Sequence, residues 1–374
     1  MKGNLLEVCL EVTDSCPMNC IYCSSINDIS PESTMNLREI KRVIDDMSQL
    51  GAQILEISGG EPLLHRDLYE IINHARSHKL ETRLYTSGIS LSSSGEMTEI
   101  TGLVADQLRD SGLVKVIFNL QGATAEAHEE LNRIPGSFEK IINSITNMKS
   151  KDFWVGVHFV AMKPNYQGVA QVVKLCADLD LDEIAILRFV PQGRGLMNRE
   201  KLELSEPEFI DLLTSITELR KRFSNRLRIG SPLNFCYILD KDAKPINCAA
   251  GVSTCTILPN GDVVPCPAFK QNQTYVAGNV KENSFIDIWN KSPIFKHCRE
   301  FRPEKLRGVC RNCEYLSWCQ GRCAAQRVLA WGYLYHGPDP NCPISYYGKS
   351  SIEDFRFALG ETSPLSAYHT EYSP

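Results

Sequence analysis

Apolar positions along this chain follow two spacings in turn. Short apolar or alternating runs at residues 5–12, 54–57, 82–86, 114–119, 154–161 and 184–190 read as strands. Between them, a spacing near 3.6 predicts helices over 36–50, 67–79, 96–111, 124–131, 137–149 and 168–179. In the first helix Leu37, Ile40, Val43, Ile44, Met47 and Leu50 form one stripe, and Gly51 ends it. Six strands alternating with helices predict an α/β fold around a parallel sheet. Ligand-binding loops in such folds gather at the C-terminal strand ends. Pro191–Gly195 break the alternation, and residues 205–222 read as a helix bridging to a second region.

Composition narrows the class. The chain has 374 residues, 43% of them apolar, enough for one large or two ordinary domains. A net charge of −5 gives no electrostatic reason to expect nucleic acid or an anionic membrane as partner. No window nears eighteen consecutive apolar residues, and the N-terminus lacks a signal-peptide pattern. Fifteen cysteines is an odd count in a long untargeted chain, which predicts reduced, metal-binding thiolates in a cytoplasm. Cys9, in the first strand, and Cys176, in an apolar helix, read as small core residues.

The loop after the first strand contains Cys16-Pro-Met-Asn-Cys20-Ile-Tyr-Cys23. A [4Fe–4S] cluster normally takes four thiolates, so three on one loop leave an iron open to another ligand. The second strand ends in Ser58-Gly59-Gly60-Glu61-Pro62, where two glycines permit close backbone approach. Together these segments resemble the signature of radical S-adenosylmethionine (SAM) enzymes. The resemblance implies a partial (β/α)6 barrel with the cluster and SAM at its C-terminal strand ends. It implies SAM contacts from Gly59, Gly60 and Glu61, an aromatic near adenine at Tyr22, and a polar strand end at Ser87. After the fourth strand the family often has Ser-Leu-Asp-Gly, whereas this chain has Asn119-Leu120-Gln121-Gly122. Asn119 can still hydrogen-bond SAM. A missing carboxylate at 121 weakens any acid–base role there, and no catalytic acid or base is singled out. Arg133 is a candidate partner for the SAM carboxylate, and Val190 for adenine.

Farther on come Cys248, Cys255, Gly261 and Cys266, then Cys310, Cys313, Cys319, Cys323 and Cys342. Thr254–Leu258 and Asp262–Val264 flank Pro259-Asn260-Gly261, which predicts a hairpin bringing Cys255 and Cys266 close together. The pattern resembles the SPASM domain of peptide and sulfatase maturases. It implies two auxiliary [4Fe–4S] clusters, one on Cys248, Cys255, Cys266 and Cys323, the other on Cys310, Cys313, Cys319 and Cys342. Two structural zinc sites are the alternative. Cys236 and Cys298 lie outside the pattern, and either is able to replace an assigned ligand. Pro267 stands where some relatives have a catalytic aspartate.

The expected domains are a barrel at 1–195, a bridge at 196–245, the SPASM region at 246–345 and a polar tail at 346–374. The resemblance implies three [4Fe–4S] clusters, SAM, and hydrogen abstraction from a carbon of a ribosomally made precursor peptide. A flavodoxin- or ferredoxin-type reductant is expected. The chain starts on the first barrel strand, so leader binding is expected to need a separate protein or the tail. A tetrapyrrole side-chain decarboxylase or an alcohol dehydrogenase is the alternative.

Overall fold

The computed structural model describes residues 4–25, 34–230 and 248–342. Cys236 and the tail from 343 onward lie outside the described residues. Strands β1 (Glu7–Glu11), β2 (Ile54–Ser58) and β3 (Glu81–Thr86) are followed by a small hairpin, β4 (Ile89–Leu91) with β5 (Met97–Glu99). Then come β6 (Lys115–Asn119), β7 (Trp154–Ala161) and β8 (Glu183–Arg188). All six expected strands therefore form, and they pair in parallel in the order β1-β2-β3-β6-β7-β8. Helices α1 (Leu37–Gln49), α2 (Leu68–Ser77), α3 (Gly102–Ser111), α4 (Ala125–Asn132), α5 (Ser137–Lys149) and α6 (Val169–Asp178) connect them. This is the expected partial α/β barrel.

Local chemistry sets the boundaries. Asn36 and Glu39 form a reciprocal capping box at the start of α1, with bonds of 2.8 and 3.1 Å. One face of α1 buries Ile40, Val43, Ile44 and Met47. The helix expected over 96–111 begins only at Gly102. Thr101 caps it through Val104, and the residues before it close the β4–β5 hairpin.

Along β1, Val8 and Leu10 are fully buried in the core shared with α1, while Glu7, Cys9 and Glu11 point to the other face. That inner face is polar. Cys9 therefore lines the barrel interior beside Glu11 and Glu56 instead of joining the core. Cys176 is core, as expected.

The sheet does not stop at six strands. Beyond β8 lies a short α7 (Gly193–Met197), where the sequence pattern reads as a break, then α8 (Arg199–Leu202), α9 (Glu206–Phe223) and β9 (Arg228–Gly230), which adds to β8. At the other edge β10 (Thr254–Ile257) pairs in parallel with β1, and β11 (Asp262–Val264) and β12 (Gly278–Asn279) extend it antiparallel. Ten strands thus form one sheet. The C-terminal region adds α10 (Phe285–Lys291), α11 (Pro293–Arg299), α12 (Leu316–Cys319) and α13 (Ala324–Trp331). A buried ion pair ties it to the barrel. Arg188, at the end of β8, donates to both oxygens of Asp339 at 2.8 and 3.2 Å. No helix among the described residues is long and apolar enough to cross a membrane.

Candidate active site at the cysteine loop

The loop between β1 and α1 is held from three sides. On the β2 side, Gly60 N–H donates to Thr13 O at 2.7 Å and Glu61 N–H to Ser15 O at 2.8 Å. The approach is close enough to require glycine. A β-carbon on Gly59 would lie 2.4 Å from Thr13 O, and one on Gly60 2.3 Å from Ser15 O. At the end of α4, the carbonyls of Leu131 and Asn132 accept from Ile21 and Asn19 at 3.0 and 3.1 Å. From α7, Gly195 N–H donates to Cys23 O at 3.0 Å, Arg194 Nε to Cys20 O at 3.1 Å and Asn198 Nδ2 to Ile21 O at 3.1 Å. The two glycines that break the sequence pattern thus serve this contact: a β-carbon on Gly193 would meet Ser24 O at 2.6 Å. Burial pushes the Cys16 and Cys20 thiols up to about 12, so metal loading there displaces protons.

Around this loop the predicted SAM-side residues fall into three groups. Glu61 is fully buried, and both carboxylate oxygens are occupied: Leu63 N–H and the Thr86 hydroxyl donate to Oε1, and Ser87 donates its N–H and hydroxyl to Oε2. Burial raises its carboxyl, while the Ser87 and Thr86 bonds act the other way. Glu61 thereby braces the ends of β2 and β3. Tyr22 and Asn119 belong to a hydrogen-bonded chain. The Tyr22 hydroxyl reaches Cys20 and accepts from Asn119 Nδ2 at 2.8 Å. Asn119 Oδ1 accepts from the Gln121 amide. Gln121 in turn donates to His158 O at 3.3 Å and accepts from Val160 N–H at 2.9 Å. Its amide nitrogen faces two acceptors, which a carboxylate at 121 would repel. The departure at 121 is therefore structural. Arg133 is exposed, in a left-handed conformation, immediately after the α4 carbonyls that hold the cysteine loop.

Val190 lies just past β8, half-buried, and its carbonyl accepts from Gln192 N–H at 2.8 Å. Gln192 was not singled out from sequence. Its side-chain amide is buried with neither atom hydrogen-bonded. An unpaired buried amide is costly, so it fits a site completed by a polar ligand such as SAM.

The inner face adds charged groups that sequence reasoning missed. Lys270 Nζ, from the C-terminal region, pairs with Glu11 at 2.7 Å and reaches Ser25 Oγ at 3.1 Å. Burial, with the Glu7 charge next, pushes the Glu56 carboxyl up to about 7, and Tyr85 donates to it. A cavity of about 200 Å³ lined by Arg83, Tyr85, Lys115, Trp154 and His158 lies toward the N-terminal strand ends, opposite the cysteine loop.

The C-terminal cysteines divide into groups. Cys248, Cys266 and Cys323 pack with one satellite cluster of Ala250, Leu258, Val264 and Phe269. The Cys310 thiol is raised to about 11 by burial and by the neighbouring Cys319 and Cys313. Cys342 follows Asp339, whose carbonyl accepts its N–H at 2.9 Å. The predicted hairpin forms, with Thr256 opposite Val264 and Ile257 opposite Val263. Cys255 nonetheless lies in the main core, 2% exposed. Four thiolates on one zinc would sit ~3.8 Å apart, given Zn–S bonds of about 2.3 Å. Among the described residues no three cysteine sulfurs lie within 4.8 Å of one another. Asp45, His74 and His78, on α1 and at α2, do converge that closely.

A parallel α/β barrel with a three-thiol loop at its C-terminal strand ends, joined to a cysteine-rich domain, defines an iron–sulfur enzyme of the SAM-dependent radical class. The comparisons agree with that class: residues 10–176 match the Radical SAM superfamily, and residues 248–314 match SPASM, an iron–sulfur cluster-binding domain. Its cofactors are accordingly SAM, a [4Fe–4S] cluster and auxiliary iron–sulfur clusters. It is 28% identical over 346 residues to an AdoMet-dependent heme synthase of Methanosarcina barkeri, covering 88% of this chain and 94% of that one. It is 27% identical over 365 residues to the mycofactocin maturase MftC of Mycobacterium ulcerans, covering 94% and 91%. The fold is similar to that of Streptococcus suis SuiB bound to S-adenosylmethionine, with a TM-score of 0.72 at 17% identity over 91% of this chain and 77% of that one.

Proposed function

We propose that this chain oxidises a ribosomally made peptide, beginning with removal of a hydrogen atom from a peptide carbon. When bound, the first cluster and SAM supply the 5′-deoxyadenosyl radical that takes this hydrogen. Cys16, Cys20 and Cys23 hold that cluster. Gly59, Gly60, Ser87, Asn119 and Val190 line the SAM side, Tyr22 fixes the loop against Asn119, and Arg133 stands at its rim.

One observation carries the oxidative outcome. Lys270, four residues after Cys266, touches Ser25, two residues after Cys23. The loop of an auxiliary cluster thus abuts the loop of the radical cluster. Hydrogen removal leaves a carbon radical. Loss of one electron into the C-terminal domain and one proton to a lumen group completes a two-electron oxidation. A flavodoxin- or ferredoxin-type reductant would start each turnover.

The peptide assignment draws on the maturase relative. A second reading, oxidative decarboxylation of a tetrapyrrole side chain, draws on the heme synthase relative of similar identity. Incubation of the reconstituted enzyme with a deuterated precursor peptide encoded beside it should place deuterium in 5′-deoxyadenosine. Transfer from a propionate-bearing tetrapyrrole, and from no peptide, would replace the first reading by the second.

A further inference from the structure

We infer that Cys298, on α11, and not Cys255 is the fourth thiolate of the first auxiliary cluster, with Cys248, Cys266 and Cys323. This rests on the reading that the C-terminal domain holds two [4Fe–4S] clusters.

Strand geometry removes Cys255. β10 pairs with β11 at Thr256 opposite Val264 and Ile257 opposite Val263. β11 ends at Val264, and the chain bends at Pro265 and Cys266 before the turn at Pro267–Phe269. Side chains alternate along a strand, so Cys255 shares a face with Ile257, and Thr256 points to the other. The pairing with β1 fixes which face that is. Cys255 lies beside Val8, and Ile257 beside Leu10, on the helix-covered side with Trp289 and Phe295. Cys255 is packed into that main core, whereas Cys248, Cys266 and Cys323 pack with the satellite cluster of Ala250, Val264 and Phe269.

Cys298 stands where the cluster needs a ligand. Its Sγ lies 2.9 Å from the position a β-carbon on Gly251 would take. Gly251 is three residues from Cys248, and its N–H reaches Pro265 O, the residue before Cys266, at 3.2 Å. Cys248 and Cys298 both line one cavity of about 200 Å³, together with Arg322 and Ala324, the two neighbours of Cys323. Gly251 suits this arrangement, since any side chain there would occupy the space of the Cys298 sulfur.

The test compares full-length wild type, Cys298→Ala, Cys298→Ser and Cys255→Ala after anaerobic reconstitution. Iron analysis, Mössbauer and EPR spectra serve as readouts. Wild type should carry about 12 irons, from three clusters of four. Cys298→Ala should fall to about 8, or keep its iron with a changed spectrum for one auxiliary cluster, following the four-ligand requirement. Cys298→Ser should keep more iron than Cys298→Ala, with a shifted spectrum. Cys255→Ala should match wild type in both. The SAM-dependent EPR change of the first cluster, retained in every variant, shows that each has folded. Loss of auxiliary iron in Cys255→Ala, with Cys298→Ala unchanged, would overturn the assignment. A wild-type chain holding only the four irons of the first loop would instead overturn the two-cluster reading itself.

Discussion

The two cysteine regions are built in opposite ways. Cys16, Cys20 and Cys23 lie within eight residues on one loop, so their spacing alone brings them together. The C-terminal set runs from residue 248 to residue 342 and is assembled from a hairpin, helices α11 to α13 and the turn before Cys342. In the first region the neighbours do not choose the ligands; they hold the loop against the SAM side. In the second, topology decides which thiols can meet at all. Spacing along the sequence therefore says most about the loop, whereas in the domain the sheet and helices decide which thiols approach one another.

The largest effect should come from the local region. Replacing Cys16, Cys20 and Cys23 together by Ala should remove about four irons per chain, the content of one cluster. Formation of 5′-deoxyadenosine under dithionite should cease, while the auxiliary spectra persist. Iron analysis and chromatography of the nucleoside products read both. A triple variant that still cleaves SAM would break the comparison, because the radical cluster would then lie elsewhere.

The same contrast explains what was legible beforehand. The six barrel strands could be read because each apolar run is long and a helical stripe separates it from the next. The hairpin over 89–99 was missed because its strands are three residues long and half-polar, leaving the helix pattern after Thr101 to spread backward. The short helix α7 was hidden by Gly193 and Gly195, glycines required by contact with the cysteine loop. No local signal joins Lys270 to Glu11, or Arg188 to Asp339; such pairs exist only once the sheet has closed.

The second prediction concerns the long-range assembly. Arg188 and Asp339 are 6% and 2% exposed, and Asp339 also accepts the N–H groups of Cys323 and Asn341, both at 3.1 Å. Arg188→Ala would leave a buried carboxylate unpaired, at a cost of about 3–5 kcal/mol. Urea unfolding of the apo chain should show that loss. Because Asp339 positions residues beside Cys323 and Cys342, reconstituted Arg188→Ala should lose auxiliary iron before loop iron. Equal loss from both would mean that the two regions do not assemble separately.

The smallest effect should come from the seam between the loop and β2. Gly60→Ala puts a β-carbon 2.3 Å from Ser15 O and 2.6 Å from Asp14 O. Both contacts are backbone atoms, so no side chain can rotate away, and the loop itself has to shift. Overpacking of this kind costs about 1–3 kcal/mol. Gly168→Ala is the matched control, since its β-carbon would meet nothing within 4 Å and its backbone φ is −81°. That change should stay within ~0.5 kcal/mol of wild type. Thermal unfolding reads the stability difference, and titration calorimetry reads SAM affinity, which should weaken about tenfold for each ~1.4 kcal/mol of misplacement. Auxiliary iron should not change in Gly60→Ala, because the strain falls on the loop and not on the hairpin. If SAM affinity survives while stability falls, the two glycines serve packing alone, and the SAM-side role assigned to Gly60 is withdrawn.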